Sequence, residues 1–299
     1  MNELVDRAAR CPSKTVAVAA AEDEEVIDAI ADAITRNLAK FLLFGDKERI
    51  VQILEKKKPN LLVEGKLNII GVPSNEVAAE KAVQAVSSEE ADVLMKGNLP
   101  TALFLKAILN KEYGLRAGRV LSHIAAFEIP GFDRLVLITD SAINIAPDLE
   151  QKRQIIENAV VTAKSIGIEL PKVAPIAAVE TVTPAMPATV DAAALTVMNK
   201  RGQLNGCLVD GPLALDNAVS IFAAEQKGIQ SEVAGRADIL LVPAIEVGNV
   251  LYKSLVYFAK AKVGGVVSGA KAPIVLTSRS DTAENKLFSL SLAINSVLK

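Results

Sequence analysis

The feature that most restricts how this chain can fold is an alternation. Short apolar runs bounded by turn residues take turns with longer segments whose apolar positions recur every three or four residues. Runs without internal polar alternation need cover on both faces, and the helical segments between them can supply it, so the pattern predicts an α/β fold with a mostly parallel sheet. From residue 24 the reading proceeds element by element. Residues 24–40 place Val26, Ile30, Ile34 and Leu38 on one helical stripe, and FLLF (41–44) follows as a strand ended by Gly45-Asp46. Helices are predicted over 48–57, 75–87 and 101–113, with strands at 68–72 and 91–95 between them. Two extended segments, 119–129 and 134–140, have only Pro130, Gly131, Phe132 and Asp133 between them, which predicts a hairpin and a passage into a second domain. Pro147 and Asp148 suit the first turn of a helix running to about residue 166. Strands at 172–179, 205–209, 238–242, 263–267 and 272–277 and helices at 187–200, 215–227 and 246–261 then lead to a last helix, 281–298.

Bulk properties exclude several classes of function. The 299 residues are 51% hydrophobic, enough to fill sizeable cores without covalent staples. Cys11 and Cys207 match no metal-ligand spacing, which argues for a reducing compartment. The segment MNELVDRAARCPSKTV is broken by charges, and nowhere do about eighteen apolar residues run together, so a cytoplasmic protein without membrane contact is expected. A net charge of −2, from 33 basic and 35 acidic residues interspersed, sets up no field for a nucleic-acid backbone. Without Trp, and with an aromatic fraction of 4%, there is little from which to build base-stacking platforms, so no nucleic-acid partner is expected.

Open α/β sheets collect ligands at the carboxyl ends of their strands. The residues that fall there are Lys96, Gly97 and Asn98; Thr139, Asp140 and Ser141; Glu180, Thr181 and Thr183; Asp210 and Gly211; and Ser278, Arg279, Ser280 and Asp281. The last group joins a strand to the terminal helix, where free N–H groups and the helix dipole favour an anion and an arginine adds a planar fork of donors. An equally good account of the same residues is that Ser280 or Asp281 caps the helix while Arg279 pairs with a surface carboxylate. In GGVVSGAK (264–271) Ala270 follows Gly269 where a phosphate-binding loop requires lysine, no Ser or Thr follows Lys271, and no G-x-G-x-x-G follows a strand, so kinase and dinucleotide chemistry are set aside. His123 lies inside an apolar strand and is expected to be a structural, hydrogen-bonded imidazole. No close His/carboxylate cluster calls for a catalytic metal.

Several segments in order resemble the phosphate acetyl/butyryltransferase family, nearest its butyryl-type branch. They are LMKGNLPTALFLKAIL (94–109), TDSAINIAPDLEQKRQII (139–156), VETVTPAMPATVDAAAL (179–195), VDGPLALDNAVS (209–220), ADILLVPAIEVGNVLYKSLVYFAKAKVGG (237–265) and APIVLTSRSDTAENKL (272–287). The resemblance covers most of the chain. It implies two three-layer α/β domains with mostly parallel sheets and an interdomain cleft, isocitrate/isopropylmalate dehydrogenase-like, the first of residues 1–118 plus 277–299 and the second of 119–276. It also implies a homodimer or larger homo-oligomer. The implied reaction is acyl-CoA plus phosphate giving acyl phosphate plus CoA, in a ternary complex without a covalent acyl-enzyme. CoA thioester and phosphate enter as substrates, and no tightly bound cofactor is implied.

Carried over residue by residue, the resemblance makes Ser278 the donor to the thioester carbonyl and Arg279 the group that steadies phosphate. The acetyl branch has an aspartate seven residues past this serine, where Asn285 stands here. Glu284 beside it, on the first turn of the last helix, is the candidate acid/base group, the alternative being a surface glutamate favoured by the dipole. The arginine and aspartate of that branch's S-T-A-D-x-x-R motif fall on Lys106 and Leu103. Lys96, Asn98, Thr101 and Lys106 are therefore candidate substrate-binding residues. These departures favour a four-carbon acyl group over acetyl. Phosphate acetyltransferase remains the rival within the family, and a non-catalytic domain sensing CoA or acyl phosphate the rival outside enzymes. A metal-dependent decarboxylating dehydrogenase would need clustered aspartates and a nucleotide site, and the sequence offers neither.

Overall fold

In the computed structural model, which describes residues 1–11, 13–62, 65–277 and 281–297, the chain opens with α1 (Asn2–Ala9) and β1 (Lys14–Ala19). Neither is among the predicted elements. The run KTVAVA is rich in alanine, a good helix former, yet it is a strand because it lies in the middle of a sheet with Val16, Ala17, Val18 and Ala19 wholly buried. There follow α2 (Glu24–Thr35), β2 (Ala39–Gly45), α3 (Lys47–Lys57), β3 (Leu67–Gly71), α4 (Asn75–Ser87), β4 (Val93–Lys96) and α5 (Thr101–Ile108). Three of these helices begin at a side-chain cap: Asp23 accepts the Val26 N–H, Asp46 that of Arg49 and Ser74 that of Val77. Val26, Ile30 and Ile34 form a buried stripe on α2, but the helix ends at Thr35 and not at the predicted residue 40: Asn37 turns the chain with φ +56°, and Leu38 is buried outside the helix, just before β2. Helix α5 stops short of the predicted residue 113, because just past it the Asn110 side-chain oxygen takes the N–H groups of Glu112 and Tyr113 and turns the chain.

The remainder comprises β5 (Ser122–Glu128), β6 (Leu135–Thr139), α6 (Leu149–Ser165), β7 (Lys172–Pro175), α7 (Pro187–Lys200), β8 (Leu208–Val209), α8 (Leu215–Val219), α9 (Ile221–Gln226), β9 (Ile239–Leu241), α10 (Ile245–Tyr257), β10 (Lys262–Ser268), β11 (Ile274–Val275) and α11 (Ala283–Asn295). The predicted hairpin is present: β5 and β6 pair antiparallel, with Ala126 opposite Leu137. The predicted helix over 215–227 is two helices, since Ser220 leaves the first in an extended conformation and caps the second through the Ala223 N–H.

The chain forms two units, one of Met1–Arg119 with Gly264–Lys299 and one of Val120–Val263. In unit 1 the strand order is β3-β2-β1-β4-β11-β10, parallel except where β10 meets β11. Helix α11 packs there against α1 and α2, and Asn295 Nδ2 donates to the Leu4 carbonyl over 3.0 Å. In unit 2 the order is β5-β6-β9-β7-β8, parallel except for the hairpin. Its core gathers Phe127, Ile138 and Leu240, with Tyr252 edge-on to Phe127 at 5.2 Å between ring centroids. The whole is thus mixed α/β with mostly parallel strands. Among the described residues no helix is long and apolar enough to cross a membrane.

Both units start a buried strand with the same clasp. Before β4, the Asp92 N–H donates to the Thr15 carbonyl (2.8 Å) while its carboxylate accepts the Thr15 N–H (2.9 Å). Before β9, Asp238 does the same with Lys172, at 2.8 and 2.9 Å.

Candidate active site

In unit 1, β4 lies between β1 and β11 and runs parallel to both, with Val275 beside Met95. The chain therefore leaves β11 toward residue 278 at the same sheet edge where β4 ends. Lys96, the last residue of β4, is 3% exposed, and its ammonium donates to the Gly97 carbonyl at 3.3 Å. Gly97 is pinned: its N–H donates to Ala19 O (2.8 Å), and a Cβ in its place would stand 2.0 Å from Ala20 O. The Asn98 N–H donates to that same Ala20 carbonyl at 2.7 Å, which holds Asn98 half-buried at the strand end. Lys96, Gly97 and Asn98 thus gather at this edge, with buried Thr277 at the end of the neighbouring strand.

The other predicted residues are less tightly placed. Thr101, the first residue of α5, and Lys106, on the same helix, are both exposed. Lys106 is near Glu76, whose carboxyl is held below its ordinary range first by its own backbone N–H, next by Ser74, and less by Lys106. Ser278 and Arg279, with Ser280, lie outside the described residues. Glu284 is exposed on the first turn of α11.

That helix starts two residues later than predicted. Its cap is Thr282, whose hydroxyl accepts the Asn285 N–H at 3.2 Å, so neither Ser280 nor Asp281 is the capping residue. The Ala283 N–H donates to the Glu25 carboxylate at 3.0 Å, and buried Lys286 donates to the Asp281 carbonyl. Two of the N–H groups on which an anion would draw are therefore committed to the protein's own oxygens, so an anion at this junction must rely more on side chains.

In unit 2 the carboxyl end of β6 is built around a buried carboxylate. Asp140, 2% exposed, accepts the N–H groups of Ala142 (2.9 Å), Ile143 (3.1 Å) and Asn144 (3.2 Å), and the Asn144 side-chain amide at 2.6 Å. That amide also donates to Leu121 O at 2.7 Å. His123, buried on β5, places Nδ1 3.0 Å from the Ser141 hydroxyl, and Thr139 donates to the His123 carbonyl at 2.9 Å. His123 is thus a buried, hydrogen-bonded imidazole. Asp140 spends its oxygens on the loop, and the geometry is not that of a Ser-His-Asp triad. Sequence reading placed Asp140 and Ser141 at a strand end but gave them no role; the available signal was an Asp directly after an apolar strand with an Asn four residues on, a pattern that folds a loop around its own carboxylate.

β7 ends at Pro175, short of the predicted residue 179, so Glu180 lies in the loop beyond it, where it accepts from Lys227 at 3.1 Å, which lowers its carboxyl pKa, and forms a partly exposed ion pair. GGVVSGAK is strand β10 and a turn, with no helix following it as a phosphate loop would have. Among the described residues no three His, Cys, Asp or Glu side chains gather as metal ligands.

The family model described as phosphate acetyl/butaryl transferase matches residues 71–294. The chain is 56% identical over 294 residues to a probable phosphate butyryltransferase of Bacillus subtilis (strain 168), covering 98% of this chain and 97% of that one. It is 47% identical over 293 residues to a phosphate acetyltransferase of Thermotoga maritima, covering 98% of each. Among solved structures, a branched-chain phosphotransacylase from Enterococcus faecalis V583 superposes with a TM-score of 0.83 at 36% identity, over 95% of this chain and 99% of that one.

Proposed function

This chain belongs to the phosphate acetyl/butyryl transferase family, whose members are acyltransferases working on CoA thioesters, and from that premise we propose that it is a phosphate butyryltransferase: butyryl-CoA + phosphate = butyryl phosphate + CoA. The observation that carries this is the 56% identity to a probable phosphate butyryltransferase along nearly the whole of both chains. The likeness to a branched-chain phosphotransacylase adds support for an acyl group larger than acetyl.

The reaction needs a phosphate oxygen to attack the thioester carbonyl, the carbonyl oxygen to carry negative charge in the tetrahedral state, and CoA to leave as a thiolate that is then protonated. Ser278 donates to the developing oxyanion and Arg279 holds phosphate in line, a pair of roles taken from the family resemblance. A fixed donor of this kind is worth about 3–4 kcal/mol of barrier. The buried ammonium of Lys96, at the edge where β11 leads to these residues, suits the negative charge of phosphate. Asn98 and Thr101 line the substrate from the same segment, and Lys106 offers a cation further along α5. Glu284, exposed at the helix start, is the candidate for handling the thiol proton. No step needs a tightly bound cofactor.

We read the two units as the two three-layer domains of an isocitrate/isopropylmalate dehydrogenase-like frame, in a cytoplasmic homo-oligomer. Helix α10 supports the oligomer: of its thirteen residues only Gly248 is buried, and Val250 and Tyr257 on it and Phe258 after it stand well exposed.

The test is phosphate-dependent CoA release from a panel of acyl-CoA esters, read with a thiol reagent. Butyryl-CoA should give the highest kcat/KM, and Arg279→Ala should lose most of kcat and raise the KM for phosphate. A higher kcat/KM with acetyl-CoA would make this a phosphate acetyltransferase. Binding without turnover would leave only a CoA-sensing domain.

A further inference from the structure

We propose that Lys286, near the start of α11, binds the substrate phosphate through its ammonium; this rests on the reading of the chain as a phosphate acyltransferase. Lys286 is 3% exposed, and its side chain folds back along the helix so that Nζ donates to the carbonyl of Asp281, the residue before the cap Thr282. An ammonium has three N–H donors. Among the described residues no carboxylate stands within ion-pair distance of this one, so two donors and the charge itself are left without a protein partner. Elsewhere the chain treats a buried lysine differently. Lys14, 5% exposed, has Asp92 at 3.5 Å, and Lys152, 6% exposed, has Asp191 at 2.6 Å. A buried ammonium without a counter-charge is costly, and a fold that supplies the carboxylate in two places and withholds it in a third leaves the charge to an anion from outside.

The position suits that anion. Helix α11 packs against β4 and β11, and Lys96, the last residue of β4, is also 3% exposed and also donates to a main-chain carbonyl, so unit 1 buries two lysines on neighbouring elements. The backbone that carries Lys286 is fixed. The Glu25 carboxylate holds the Ala283 N–H at 3.0 Å, the Ser289 hydroxyl takes the Gly265 N–H at 2.9 Å, and a Cβ on Gly264 would lie 2.8 Å from the Phe288 main chain, which presses α11 onto β10. With the Ala283 and Asn285 N–H groups committed to Glu25 and Thr282, the lysine charge is what an anion can draw on at this helix start. A compact point charge of this kind matches a phosphoryl oxyanion. The phosphates of CoA share that chemistry, and the kinetics separate the two sources.

The experiment uses the full chain as wild type, as Lys286→Met, which removes the charge at nearly constant length, as Lys286→Arg, which keeps it, and as Lys40→Met, a control at an exposed lysine near the amino end of β2. Melting temperature is read in potassium phosphate and in potassium chloride of equal ionic strength, and the KM values for phosphate and butyryl-CoA are read by CoA release. For Lys286→Met the expected result is a phosphate KM raised about tenfold or more, with the butyryl-CoA KM within about twofold of wild type. The extra Tm that phosphate gives wild type and Lys40→Met should be lost in the same variant. In chloride Lys286→Met should melt no lower than wild type, since it removes an unpaired buried charge. Lys286→Arg should recover part of the phosphate KM. An unchanged phosphate KM, or an undiminished Tm rise with phosphate, in Lys286→Met overturns the inference. So does a Lys286→Met that melts lower or unfolds in both salts, which makes the lysine a structural tie to Asp281, and so does a raised KM for butyryl-CoA alone, which assigns the cation to the phosphates of CoA. The Tm measurement needs no turnover. A wild type that turns over no acyl-CoA therefore overturns the functional reading, while the role of Lys286 toward phosphate is scored on its own.

Discussion

Strands β4 and β9, in different units, begin alike and end differently. Each follows an Ala-Asp pair, Ala91-Asp92 and Ala237-Asp238, and each Asp clasps the first residues of a neighbouring parallel strand with the same two hydrogen bonds. The shared solution reflects a shared problem: a buried parallel strand must satisfy the backbone where its ladder starts. At the carboxyl ends the likeness stops. β4 runs into Lys96, Gly97 and Asn98, a buried cation and a close-packed glycine, whereas β9 runs into Val242, Pro243 and Ala244 and straight into α10. The starts answer to folding and the ends to chemistry. The two clasps also differ in their electrical setting. Lys14 stands 3.5 Å from the Asp92 carboxylate, while burial, the largest influence on Asp238, pushes its carboxyl above the ordinary range against the opposing pull of the Lys172 N–H, Arg134 and Lys172.

The largest effect should come from breaking the β4 terminus. In Gly97→Ala the new Cβ meets the Ala20 and Ala19 carbonyls, both backbone and unable to swing away, so urea unfolding should show a loss of about 3–5 kcal/mol. A loss under about 1 kcal/mol would mean that the loop yields and that its packing is not what fixes Lys96. Next come the clasps. Asp92→Ala should cost about 2–3 kcal/mol and Asp238→Ala about 1–2 kcal/mol, the first more because it also takes a carboxylate from beside the ammonium of Lys14, itself 5% exposed. Equal losses would remove the electrical distinction between them.

The smallest effect is one of pH. Between the ordinary carboxylate value of 3.8 and its raised folded value, Asp238 keeps a proton in the native state that the unfolded chain has shed. Stability from this group therefore declines as pH rises through that window and levels off above it. Asn cannot titrate, so Asp238→Asn should lack this decline, and its Tm difference from wild type should change as pH rises through the range above 3.8 in which the buried carboxyl keeps its proton. A constant difference across that range would show that the carboxyl is not shifted.

Much of the fold is legible where local chemistry and burial agree. The stripe from Val26 to Ile34, the hairpin after Glu128 and the start of α6, where Asp148 and Gln151 form a reciprocal capping box, can all be read directly, whereas the end of α2 cannot, since Leu38 keeps the helical spacing after the helix has stopped. β1 is not legible, because alanine and valine at Ala17–Ala19 carry no signal of the strands that will flank them. The start of α11 was misplaced because Ser280, Asp281 and Thr282 are all good caps and only the folded geometry selects the third. At the candidate site, Lys96 and Asn98 could be placed from the strand that ends beside them. Lys106 and Thr101 could not, since a helix surface position does not reveal which way it faces. The Asp140 loop escaped notice because its role is to arrange backbone and needs no reactive side chain.

The return of α11 to unit 1 sets an order on synthesis. Residues 120–263 emerge from the ribosome as a complete unit while Met1–Arg119 still lacks the segment from Gly264 onward that finishes its sheet and covers α1 and α2. At about 5–20 residues per second, the amino-terminal portion waits roughly ten to forty seconds for its partner segment. The middle of the polypeptide can therefore be native while the beginning still shows apolar surface, and it is there that a chaperone would find this chain.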